Sequence, residues 1–151
     1  MQYWLLKSEP DSFGIDHLQR SKSTVWDGVR NYQARNYLRT AKVGDLGFFY
    51  HSKVQPPGIA GLCRVTATTV VDPTQFDPTS QYFDSKSTPE APRWQTVKVA
   101  FVEKFPNYLT IDTLRARFAE SELMILQKGS RLSVTPVGSA TAERILDLAR
   151  A

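Results

Sequence analysis

The sequence predicts an α+β domain, a small barrel or curved sheet surrounded by short helices. Three observations carry this expectation. Segments with period-2 apolar alternation recur along the chain, as half-buried strands require. Short helical stretches fall between them irregularly, without the repeated strand–helix unit of a doubly wound sheet. A length of 151 residues suits one domain with a sizeable core.

The elements follow in order. Tyr3 to Lys7 reads as a first strand that ends at Ser8-Glu9-Pro10. Ile15 to Arg20 is a short helix after Gly14. Asn31 suits the N-cap of a helix running to about Thr40, because its short amide can accept from first-turn N–H groups. Along that helix Arg35, Arg39 and Lys42 recur at i, i+4 and i+7, which makes one basic stripe, readable also as a plain solvated face. Val43-Gly44-Asp45 turns the chain into an aromatic strand, Leu46 to His51. Gln55-Pro56-Pro57-Gly58 is a tight loop. Ile59 to Val71 sets Gly61, Cys63, Val65 and Ala67 against Leu62, Arg64 and Thr66, and Thr96 to Phe105 alternates in the same way. Ile111 to Phe118 and a turn near Glu120 to Leu126 are helical. Arg131 to Val137 is a strand closed by Pro136. Ser139 is placed to cap a last helix whose apolar face is Ala142, Ile145, Leu148 and Ala149.

Asp72 to Arg93 stands apart. It holds four of the nine prolines and is rich in Ser, Thr and Asp. A segment this long without regular structure inside a compact domain is functional or disordered. Phe76, Tyr82 and Phe83 argue that it packs on something, as a flap over a pocket would.

Bulk properties exclude several chemistries. A single cysteine, Cys63, rules out an internal disulfide, and its place in an apolar strand reads as a small buried hydrophobe. Two histidines and one cysteine, far apart, make no zinc ligand set. No phosphate loop or dinucleotide-binding glycine pattern occurs, so no metal or cofactor is expected. The N-terminus lacks a basic start and long apolar core, and no apolar run approaches the ~20 residues needed to span a bilayer. The expectation is an intracellular, cytoplasmic protein without a membrane partner. The net charge of +4 is a mild excess, compatible with a polyanion partner and with none.

The segment from Trp26 to Arg39 packs aromatics, amides and guanidiniums with few aliphatic residues. Those groups can stack a flat base, read its edge and hold its phosphate. Further candidates sit beside turns: Trp4, Ser8, Tyr50, Ser52 and Trp94, with Pro57 and Gly58 permitting close backbone approach to a ligand. Any one tryptophan taken alone is more often core than a ligand platform. His51-Ser52 invites a base-and-nucleophile reading, but adjacent residues of a strand face opposite sides.

Tyr3-Trp4-Leu5-Leu6-Lys7-Ser8-Glu9-Pro10, Trp26 to Arg39, Phe48-Phe49-Tyr50-His51-Ser52, Pro57-Gly58-Ile59-Ala60-Gly61 and Pro92-Arg93-Trp94 together resemble the EVE domain family. The resemblance covers essentially the whole chain. It implies a PUA-like fold, a small and mostly antiparallel β-barrel with helices around it. It further implies a non-catalytic reader of modified bases, with 5-methylcytosine-type modification, in DNA, as the suggested ligand. A flipped base would enter a pocket walled by Trp26, read by Ser8 and Asn31, and lined further by Tyr50, Ser52 and Trp94. Arg30, Arg35, Arg39 and Lys42 would meet phosphates. Any effector action would come from a partner protein, and the oligomeric state stays open. Three other readings remain: an RNA-binding module, a peptide-docking module, and an ASCH-like enzyme acting on a nucleoside or small amide. The enzyme would need Lys7, Glu9 or His51 as its titratable group.

Overall fold

A computed structural model describes all 151 residues. Six strands form one sheet: β1 (Tyr3–Ser8), β2 (Ser23–Val25), β3 (Leu46–His51), β4 (Gly58–Val71), β5 (Gln95–Thr110) and β6 (Val134–Val137). Their order is β2-β5-β4-β3-β1-β6. Only β1 and β3 run parallel, and the chain between them supplies the crossover that a parallel pair needs. It contains α1 (Pro10–Phe13), α2 (Ile15–Ser21) and α3 (Tyr32–Thr40). Two more helices, α4 (Ile111–Arg117) and α5 (Ser139–Arg150), lie later in the chain. The α+β class is as expected. The register between β4 and β5 shifts at four places, and bulges of this kind bend and twist strands. The hydrogen-bonded ladder nevertheless does not close between β2 and β6, so the barrel is an open one.

The sheet carries a core on each face. Trp4, Leu6, Phe49, Cys63 and Val97 pack with Leu18 of α2 and Ala34 and Leu38 of α3. Leu5, Phe48, Leu62 and Phe105 pack with Leu114 of α4 and Ile145 and Ala149 of α5. Successive residues of β1 and β3 thus serve opposite cores, which is why both strands are nearly continuous apolar runs. Cys63 is buried in β4, and burial pushes its thiol up to about 12. It is an unreactive core residue, as its setting in the sequence indicated.

Several boundaries differ from expectation. The last strand begins at Val134 rather than Arg131, and Pro136 lies within it. Proline is tolerated there because β6 is an edge strand. The last helix starts from Gly138 and Ser139 makes no capping bond, since it already lies inside the first turn. The helical turn near Glu120 reduces to a 3₁₀ turn at Met124–Leu126. Asn31 does cap α3, its Oδ1 accepting from Ala34 N at 3.0 Å. Lys42 falls two residues past that helix, so Arg35 and Arg39 alone share its basic stripe. No helix is long and apolar enough to cross a membrane.

Two imidazoles satisfy the amides at the start of α2. His17 Nδ1 accepts from Gly14 N (2.8 Å) and His51 Nε2 accepts from Ile15 N (3.1 Å). Helix amides there have no partner within the helix, so the two rings replace a side-chain cap. His51 accepts only while neutral, and burial, opposed by Asp16, holds it below the ordinary histidine value. A depressed folded value makes the unfolded chain the better proton acceptor. The contribution of His51 is therefore complete above about pH 6.5 and is lost as the pH falls below it. Urea unfolding between pH 7.5 and 5 is expected to show stability declining with acidification. His51→Gln, which keeps an acceptor but does not titrate, is expected to flatten that decline.

Candidate nucleic-acid interface

A cavity of about 580 Å³ opens beside the exit from β2. Lys7 and Ser8 line it from the end of β1, Phe13 from α1, and Val25 to Val29 from β2 and the turn that follows. Ser52 and Lys53 come from the turn after β3, Tyr82 from the 72–93 segment, and Arg131 from the approach to β6. Its volume is that of a small-molecule or single-nucleotide site.

Trp26 is fixed on three sides. Its N–H donates to the Val97 carbonyl at 2.9 Å, its carbonyl accepts from the Thr96 hydroxyl, and its ring meets Phe49 edge-on at 5.4 Å. It belongs to the core and to the cavity wall at once. Phe13 and Tyr82 complete the aromatic lining. Ser8 Oγ donates to the Phe13 carbonyl at 2.6 Å, and the Ser52 N–H donates to the Ser8 carbonyl at 2.9 Å. The hydroxyl of Ser8 is thereby left with its lone pairs to offer.

Charge at the cavity is partly free. Glu9 is paired with Lys53 at 2.9 Å. Lys7 has no carboxylate against it, and burial alone pushes its ammonium below the usual lysine value. Asp27 is exposed, yet partial desolvation of its carboxyl and the neighbouring Asp72 carboxylate push it up, while Arg30 pulls it down. In the sequence Lys7 reads only as an acid–base candidate, and Asp27, inside the Trp26–Arg39 stretch, gives no signal of its own.

The structure brings Trp26, Ser8 and Ser52 together and places the other expected residues elsewhere. Asn31 is exposed, and its side-chain oxygen is occupied in the α3 cap. Trp94 lies outside the cavity, stacked against Tyr32 at 4.9 Å with its Nε1 donating to Asp84. Tyr50 and Pro57 line a second cavity, about 530 Å³, which shares Lys7, Ser52 and Lys53 with the first. Burial pushes the Tyr50 phenol up to about 12, so it stays neutral. The close approach at Gly58 is to the Leu109 carbonyl of β5, where any Cβ would collide. None of Arg30, Arg35, Arg39 and Lys42 lines the cavity. Arg39 donates to Gln95, and Arg35 reaches the Arg93 carbonyl while lying over the Tyr32 ring.

Arg30 has a different task from the one its neighbours suggested. It donates to the carbonyls of Tyr82 and Val29, to Thr74 Oγ1 and to Asp72 Oδ2, all at 2.8–3.0 Å. Asp72 is buried and accepts in addition from Gly28 N and from the N–H and hydroxyl of Thr74. Fully buried Gln75 ties the two ends of the 72–93 segment, donating to the Asp72 and Trp94 carbonyls. The segment is thus a docked structure, with a 3₁₀ turn at Pro73–Phe76. Its Tyr82 ring rests on Gly28, at φ +82°, where an added Cβ would lie 2.7 Å from the ring. Only glycine combines that backbone with that contact.

An open, mostly antiparallel sheet with short helices and an aromatic, partly charged cavity at its strand ends defines a PUA-like domain. The chain belongs to the EVE domain family, whose model matches residues 2–148. Human thymocyte nuclear protein 1 is 36% identical over 164 residues, covering 97% of this chain and 73% of that protein. A crystal structure of a Pseudomonas syringae protein is 49% identical with a TM-score of 0.93, covering 97% of this chain and 98% of the other. The structure of human THYN1 protein in complex with 5-methylcytosine containing DNA is 35% identical with a TM-score of 0.92, covering 100% and 99% of the two chains.

Asp72→Ala leaves the Arg30 guanidinium unpaired in a largely buried setting. It is expected to lower stability by about 3 kcal/mol in denaturant titration. Proteolytic cleavage between Asp77 and Glu90 is expected to accelerate in the same variant.

Proposed function

We propose that the domain is a non-catalytic reader of modified nucleic acid that takes one extruded, 5-methylcytosine-type base of DNA into the 580 Å³ cavity. The observation that carries this reading is the cavity itself: three aromatic residues, Phe13, Trp26 and Tyr82, around a free ammonium, Lys7. The human relative bound to 5-methylcytosine containing DNA supports the ligand class. Trp26 serves as the stacking wall, Ser8 and Ser52 as polar lining, and Lys7 as a donor to an acceptor oxygen of the nucleotide. Arg35, Arg39 and Lys42, with Arg131 at the cavity edge, supply salt-dependent attraction to phosphates. Arg30 and Asn31 act through structure, by docking the 72–93 segment and by starting α3.

Binding suits these groups better than catalysis. Of the three titratable candidates, Glu9 is held by Lys53 and His51 by the α2 amide, which leaves Lys7 alone. Affinity is expected to be modest. Stacking contributes ~1–3 kcal/mol per base without discrimination, and extrusion costs a few kcal/mol. Burying the single methyl adds about 0.8 kcal/mol, roughly fourfold.

Fluorescence anisotropy at fixed low salt tests the reading. The probes are matched DNA and RNA oligonucleotides, single- and double-stranded, with and without 5-methylcytosine. Tighter binding to a methylated DNA probe is expected, weakened about fivefold in Trp26→Phe by the smaller stacking face. Lys7→Gln is expected to weaken every probe by removing a charged donor to the nucleotide. Preference for the RNA probes would make the domain an RNA reader. Equal weak binding throughout, unchanged in both variants, would overturn base reading in favour of a peptide module or an ASCH-like enzyme.

A further inference from the structure

We propose that Asp27 selects cytosine over thymine in this cavity, by accepting a hydrogen bond from the exocyclic N4 amine. The inference rests on the base-reading function above and assigns its specificity determinant.

Thymine carries the same methyl group at C5 as 5-methylcytosine and is abundant in every DNA. Aromatic walls and a methyl-sized space therefore accept both bases alike. Only the polar edge separates them: cytosine offers an N4 amine where thymine offers the O4 oxygen. A cavity that favours 5-methylcytosine must hold an acceptor there and leave it unpaired when thymine enters.

Asp27 is that acceptor. Of the two carboxylates that line the cavity, Glu9 is paired with Lys53. Exposed Asp27 accepts only from its own backbone N–H, whereas Asp72 beside it is saturated by Gly28, Arg30 and Thr74. An ionised carboxylate accepts only, so it repels O4 and pairs with N4. Gln81, the amide at the cavity, carries donor and acceptor together and can suit either base. The unpaired Lys7 ammonium, a pure donor, complements the acceptors N3 and O2 that remain on cytosine. Partial desolvation and Asp72 both disfavour the charge on Asp27, so an incoming donor relieves it. The residue is placed by β2, which ends at Val25, and by Trp26, whose main chain is held by β5.

The test uses the full chain and single-position probes. Four oligonucleotide duplexes carry cytosine, 5-methylcytosine, thymine or 5-methyl-2-pyrimidinone opposite an abasic site, so that pairing does not bias extrusion. The last base keeps the methyl, N3 and O2 but has no 4-amino group. Wild type is expected to bind 5-methylcytosine about tenfold more tightly than thymine or the pyrimidinone. Asp27→Asn, folded by circular dichroism, is expected to bind all three methylated bases within about twofold. Retained preference in Asp27→Asn, with wild type still favouring 5-methylcytosine over cytosine, would overturn the role of Asp27 and leave base reading standing. Wild type that does not separate 5-methylcytosine from the pyrimidinone would overturn it from the ligand side, independently of how the variant folds. Wild type that treats all four probes alike would overturn the base-reading function and this inference with it.

Discussion

The buried pairing of Asp72 with Arg30 is the contact on which the cavity depends. It joins two segments far apart in sequence, the turn after β2 and the start of the 72–93 segment. One carboxylate gathers donors from Gly28, Arg30 and Thr74, and the guanidinium passes the restraint on to the Tyr82 carbonyl. Removing either partner would strand a charge in a site where water replaces it poorly. The aromatic lining of the cavity comes from three separate parts of the chain, and this clamp is what brings Tyr82 to the other two.

Preorganisation follows from the same arrangement. Trp26 belongs to the core, so its ring does not have to be ordered when a ligand arrives. Less conformational freedom is lost on binding to such a wall than on binding to a mobile loop. The polar lining is sorted in advance too: Glu9 and Lys53 satisfy each other, while Lys7 and Asp27 have no ion-pair partner there.

The long strands and α3 were legible in the sequence because their signals are local. Period-2 alternation located β4 and β5, and Asn31 marked the start of α3 through a bond to a residue three positions on. Helix α1 and strand β2 were not legible, because four and three residues carry no periodicity and β2 exists by pairing with β5 about 75 positions away. The site was legible as a stretch rather than as individual roles. Composition grouped Arg30 with Arg35 and Arg39, but only the fold shows that Arg30 is consumed internally. Asp27 stayed hidden because a carboxylate amid arginines looks paired, and in space its neighbour Asp72 takes the cation. Gln75 gave no signal either, since a polar residue is buried whole only when distant carbonyls receive it.

The 72–93 segment is pinned at its two ends and, between them, at Tyr82, Asp84 and Ser87, and the short stretches separating these anchors are uncommitted. Gln75 holds the Asp72 and Trp94 carbonyls together, so the points where the segment leaves and rejoins the sheet stay adjacent whatever lies between them. Residues 77–79, 85–86 and 88–91 are exposed. Exposed stretches with closed ends accept insertions at small entropic cost. That rim can therefore grow longer or change its charge while Tyr82 keeps its place in the cavity wall.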